Sequence, residues 1–317
     1  MKSTPRRILA AMAAGGLLFV SACTTGDEVA TGEGDTKIEK VGLMVQDLTN
    51  PFFAAMQTRM QEQAKADGFT LNVQDGRQDL AAQNDQIDAF IQQGMDVILI
   101  NPVDSEGIGS AVERAKAAGI TVVAVDANAA GSHAGVTTDN VMAGRLSCEA
   151  LVEKIGGEGK VLILDGTPIS PVQDRVKGCM EVLDATEGIT VVGHQNGNND
   201  RATGLSLATD MLTANPDVQG IFAINDPMAL GADLAIQQAN RTGIWVTGVD
   251  GSPEAVIALE DEKSNLWATP AQDPGGMAVR AYEVAREIRG GNEPEEHTAL
   301  MEPSIVDRDS VGDYAGW

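Results

Sequence analysis

The stretch "GIFAINDPMALGADLAIQQAN", Gly220–Asn240, changes texture once. Apolar residues run almost without interruption to Ile224. The polar pair Asn225-Asp226 closes the run, and a helical pattern follows. A continuous apolar run of this length reads as a strand buried on both faces, which belongs in a parallel sheet. Nine other runs share this texture: "KVGLMVQD", "FTLNVQDG", "DVILINP", "TVVAVDA", "AGVTTD", "KVLILDG", "ITVVGHQNG", "IWVTGVDG" and "LWATPAQ". Helical patterns such as "SEGIGSAVERAKAAG" separate most of them. Strand alternating with helix predicts an α/β fold. The number of strands exceeds what one open sheet comfortably carries, so two α/β lobes are expected.

The chain has 317 residues, 43% of them hydrophobic, which is enough for more than one core. Its 22 Lys and Arg face 46 Asp and Glu, a formal charge of −24. Such a surface repels nucleic acid and anionic lipid, and it favours a neutral or cationic ligand. At the N-terminus, Lys2, Arg6 and Arg7 precede the apolar run "ILAAMAAGGLLFV", which is short for a membrane span. Residues 1–22 therefore read as an export signal; the Arg6-Arg7 pair leaves Sec and twin-arginine routes both open. The run ends in "VSAC", which resembles the lipobox of bacterial lipoproteins and points to lipidation at Cys23. Residues 23–37, rich in Gly, Thr and acids, cannot bury enough surface to order themselves, and read as a tether. Membrane attachment is expected through the lipid alone. Cys148 and Cys179 lie beyond the tether. An exported chain permits a disulfide between them, and two buried free thiols are the alternative.

In open α/β sheets, ligands bind beyond the carboxyl ends of the strands. The residues there are Gln46 and Asp47, Asn101, Asp126, Asp139, Asn225 with Asp226, Asp250 and Gln272. Arg175 falls early in the helix after "KVLILDG". Taken singly, each Asn or Asp is better explained as a helix cap or turn residue. Taken together, planar Asn, Asp, Gln and Arg groups suit paired hydrogen bonds to neighbouring hydroxyls. Phe52 and Phe53, beside Asn50, offer an aromatic face for the C–H side of a sugar. Catalytic signals are weak. His133, His194 and His297 are scattered without metal-ligand spacing. "GLSLA" lacks one Gly of a nucleophile elbow, and "GIG" at Gly107–Gly109 lacks the last Gly of a dinucleotide fingerprint. No enzyme, metal or cofactor is called for.

The segments "NPFF", "ILINPVDSEGIGSAVERA", "TTDNVMAG", "MLTANPDVQGIFAINDPMALGA", "VTGVDGSPEA" and "ATPAQ" resemble the type I periplasmic sugar-binding proteins, the ribose-binding branch in particular. The likeness runs from about Lys37 to the end of the sequence. It implies two Rossmann-like lobes with parallel sheets, joined by a three-strand hinge and closing on a sugar for delivery to an ABC importer. It implies one lobe from 38–138 with 273–301, and another from 139–272 with 302–317. Carried over by position, the ligand contacts fall on Asn50, Phe52, Phe53, Asn101, Asp126, Arg175, Asn225, Asp250 and Gln272. Gln46, Asp47 and Asn199 are further candidates. Two positions depart from the pattern. Ala127 stands where the family has an Arg, and Asn199 where it has a second stacking ring. The resemblance therefore implies a pentose, a polyol or a related small polyhydroxyl compound. The expected partners are that ligand and ABC permease subunits, with the protein itself a monomer. A sensor module presenting its ligand to a chemoreceptor or kinase is the alternative role.

Overall fold

The structure, a computed structural model, describes residues 37–317. The export signal, Cys23 and nearly all of the tether lie outside the described residues. The strands follow the apolar runs. In the first lobe these are β1 (Lys40–Val45), β2 (Thr70–Asp75), β3 (Val97–Ile100), β4 (Thr121–Val125) and β5 (Ala134–Thr138). In the second they are β6 (Glu158–Asp165), β7 (Gly188–Asn196), β8 (Gly220–Ala223), β9 (Trp245–Thr247) and β10 (Leu266–Ala271). Every residue of the central strands β3, β4 and β8 is buried, as a parallel strand covered by helices on both faces requires.

The intervening helices are α1 (Pro51–Asp67), α2 (Leu80–Gln93) and α3 (Gly109–Ala117), then α4 (Asn140–Lys154), α5 (Ser170–Ala185), α6 (Arg201–Ala214), α7 (Asp226–Gln238), α8 (Pro253–Glu260) and α9 (Pro274–Arg289). Two short strands complete the sheets, β11 (Thr298–Met301) and β12 (Ser304–Asp307). Both are edge strands and only partly buried, so no apolar run announces them in the sequence. The first sheet has the order β11-β5-β4-β3-β1-β2, and the second β12-β10-β9-β8-β6-β7. All pairings are parallel except that of β12, which runs antiparallel to β10.

The chain crosses between the lobes three times. It leaves the first after β5, returns to it after β10 through Gln272 and α9, and leaves again between β11 and β12. The crossings are bonded to one another. Thr138 Oγ1 donates to Gln272 Oε1 at 2.6 Å, and the Asp139 amide donates to the Met301 carbonyl at 2.8 Å. These bonds tie the three segments into one joint.

Cys148 on α4 and Cys179 on α5 form a disulfide, with Cα atoms 5.1 Å apart. The two helices pack at close range. A Cβ on Gly144 would collide with the carbonyl of Arg175, and one on Gly178 with that of Val141. The bond spans 31 residues, so the chain-entropy model assigns it about 3–4 kcal/mol. Replacing both cysteines by Ala should lower Tm by on the order of 10 °C in calorimetry. An unchanged Tm would show that helix packing alone supplies this stability.

Candidate functional site

The carboxyl ends of both sheets face one another across the joint. Here the strand-end residues converge on a cavity of about 40 Å³. The first lobe contributes Asn50, Phe52, Phe53 and Asp126; the second contributes Arg175, Asn225 and Asp250. Gln272, on the crossing from β10 to α9, also lines it, as do Gln46 and Asn199. The lobes meet directly beside it, where the Asn128 amide donates to Ser170 Oγ at 2.8 Å. Ala127 is buried against the core of the second lobe. A larger groove of about 680 Å³ lies behind the joint and shares only Gln272 with the cavity. Its size does not make it the site, because the buried charges and the two rings converge on the smaller space.

Local chain chemistry places each group. Asn50 caps α1, accepting from the Phe52 amide at 3.0 Å, and this holds the two rings at the first turn. Phe52 and Phe53 lie edge to face, with centroids 5.4 Å apart, and both pack into the first lobe's core while lining the cavity. Asn225 caps α7, accepting from the Met228 amide at 3.0 Å, and donates through Nδ2 to the Asn199 carbonyl at 3.1 Å. Asp126 and Asp250 are not N-cap residues, although Asp250 Oδ2 accepts from the Asp226 amide at the start of α7. They sit at φ 66° and 142°, backbone conformations that cost L residues energy and turn each carboxylate toward the cavity.

Two candidates lie elsewhere. Asn101 is fully buried behind the cavity. Its Nδ2 donates to Asp126 Oδ2 at 2.8 Å and to the Val125 carbonyl, and its Oδ1 accepts from the Gln46 amide. It positions Asp126 and does not line the space. Asp47 closes a turn with Thr49 and faces an outer cleft of about 460 Å³. Sequence reasoning missed Gln78, whose left-handed backbone follows β2 in a loop without a strand-end signal. It also missed Asn140, which accepts from Arg175 Nε at 2.8 Å, although "TTDNVMAG" contained it. None of the three histidines lines the cavity.

A connected network runs through the site. Arg175 Nη1 donates to the Ile224 carbonyl at 2.8 Å and meets Asp250 Oδ1 at 3.4 Å. Gln272 Nε2 donates to the same Oδ1 at 2.8 Å, and Gln272 in turn accepts from Thr138. Behind Asp250, Asp226 accepts from the Ser252 amide and from Thr269 Oγ1, both at 2.7 Å. Burial pushes the Asp250 carboxyl up to about 8, against the pull of Arg175 and with a further push from Asp226. Burial likewise raises Asp126 to about 6, with Arg175 and Asn101 pulling the other way. Asp226 is raised by burial too.

Between the ordinary carboxylate pKa and these raised values, the folded protein binds protons that the unfolded chain releases. Unfolding free energy therefore falls as pH rises from about 4 to about 8. In thermal melts without ligand, Asp250→Asn should flatten this decline relative to the wild type. Parallel pH profiles for the two proteins would refute the assignment to Asp250.

The sequence model of the family described as "Periplasmic binding protein domain" matches residues 41–293. The ribose import binding protein of Bacillus subtilis is 36% identical over 264 residues, covering 82% of this chain and 85% of that protein. The xylitol-binding protein of Mycolicibacterium smegmatis is 32% identical over 314 residues, covering 96% of this chain and 86% of that protein. A solved solute-binding protein of an ABC transporter from Mycobacterium smegmatis, with glycerol bound, superposes with a TM-score of 0.84 at 31% identity, over 89% of this chain and 98% of that one. The chain belongs to the periplasmic binding protein family, type I, in the branch that includes the ribose import binding proteins.

Proposed function

We propose that this chain is the solute-binding subunit of a carbohydrate ABC importer, taking a small sugar or polyol between its two lobes. One observation carries the reading. Two aromatic rings from one lobe line the same cavity as a guanidinium and a carboxylate from the other. An aromatic face covers C–H groups, while planar charged and amide groups bind the hydroxyls around them. The relatives named for ribose and xylitol and the glycerol-bound structure support the same ligand class. The residues proposed to touch ligand are Asn50, Phe52, Phe53, Asp126, Arg175, Asn225, Asp250 and Gln272. Asn101 acts through Asp126. The joint made by the three crossings is the proposed hinge, and opening there admits the ligand. The role is binding without turnover, carried out by a monomer.

Export through residues 1–22 and lipid attachment at Cys23 would hold the protein at the membrane surface beside its permease. Mass spectrometry of membrane-extracted protein should find a diacyl- or triacylglyceryl group on Cys23 as the first residue. An unmodified N-terminus well away from Cys23 would overturn the anchor.

A thermal-shift screen of pentoses, hexoses and polyols should identify a stabilising ligand, and no turnover of it is expected. With that ligand, Arg175→Ala should weaken binding by about 2–5 kcal/mol in calorimetry, because it strips a buried charge network of its cation. Lys263→Ala, an exposed control, should change nothing. An Arg175→Ala affinity within about twofold of wild type would refute the site.

A further inference from the structure

Gln46 follows β1 directly and is 1% exposed. Its backbone is fixed at both polar atoms. The amide donates to Asn101 Oδ1 at 3.3 Å, and the carbonyl accepts from the Gln78 amide at 3.0 Å. Its side chain lines the cavity, and the buried Nε2 has no hydrogen-bond partner. An unpaired buried amide destabilises a fold, so its persistence at a cleft marks a donor kept for a ligand oxygen.

We propose that Gln46 is a specificity-determining residue whose side-chain amide donates to a hydroxyl oxygen of an open-chain polyol, selecting it over a ring pentose. The proposal rests on the carbohydrate reading of the cleft. Two features of the cavity support it. First, Gln46 is joined in the lining by Asn50, Gln78 and Asn199, and these last three also border the outer cleft. The wall between the two spaces is thus made of amides, which bind hydroxyls. Second, Asp126 and Asp250 accept hydrogen bonds when ionised, and a ligand rich in donors favours that charged form. Every oxygen of an open-chain polyol is a hydroxyl, whereas a ring pentose carries one ether oxygen that accepts but cannot donate.

The test measures calorimetric affinities for xylitol, ribitol and erythritol against D-ribose and D-xylose. Wild type is compared with Gln46→Met, of similar shape without a donor, and with Gln46→Leu. Wild type should bind at least one polyol more tightly than either pentose. The variants should weaken that polyol about tenfold or more, as expected for a lost hydrogen bond in a buried site, with the pentoses changed by less than about threefold. Melting without ligand should show both variants folded and no less stable than wild type, since the orphaned donor is gone. A wild-type preference for the pentoses, or an equal loss for both classes, would overturn the role of Gln46 while leaving the carbohydrate cleft standing. Binding of no compound in the panel would overturn both.

Discussion

Three buried carboxylates converge on one buried guanidinium. Asp126, Asp226 and Asp250 are each 4% exposed or less, and Arg175 is 5% exposed. A pair of unit charges at about 4 Å gains on the order of 4 kcal/mol at an effective dielectric near 20. Moving each ion out of water costs several kcal/mol. One cation therefore cannot offset three anions, and the carboxyls respond by holding their protons. The closed arrangement has too little positive charge for its carboxyls to ionise together. A hydroxyl-rich ligand, the class proposed above, can hydrogen-bond to a carboxyl in either protonation state. Ligand binding and lobe closure thus draw on the same electrostatic deficit.

The network also carries this deficit to the joint. Asp250 bonds to Gln272, and Gln272 bonds to Thr138, so a charge at the centre of the cleft is one hydrogen bond from one crossing segment and two from another. Trp317 adds a second link: its indole donates to the Asp250 carbonyl at 2.9 Å, and its ring stands 6.0 Å from that of Phe52. Groups on both lobes are therefore positioned by elements that also span them.

Much of this was legible in the sequence because parallel strands buried on both faces leave continuous apolar runs. The residue that ends each run then marks the ligand side of the sheet. Asp126, Asn225 and Asp250, which line the cavity, were picked out that way, and Asn50 by its place beside Phe52 and Phe53. The illegible parts share a cause. β11 and β12 are half-exposed edges with no apolar run to mark them. Gln78 lines the cavity from a left-handed loop position, which no periodicity predicts. Asn101 was legible as a strand end, but whether its amide faced the ligand or braced Asp126 depended on three-dimensional neighbours. Asn50 and Asn225 show that cap and site are not exclusive. In each, the side-chain oxygen caps a helix while the residue also lines the cavity.

The helix that carries Arg175 is stapled to its neighbour by the Cys148–Cys179 bond and pressed against it at Gly144 and Gly178. The compartment in which the chain matures thereby enters its binding chemistry. Protein made in a reducing cytoplasm would lack the staple, and α5 would be held by packing alone. The same polypeptide could then present its one cleft cation with different rigidity depending on where it was made, so ligand affinities from oxidised and reduced preparations would describe two different receptors.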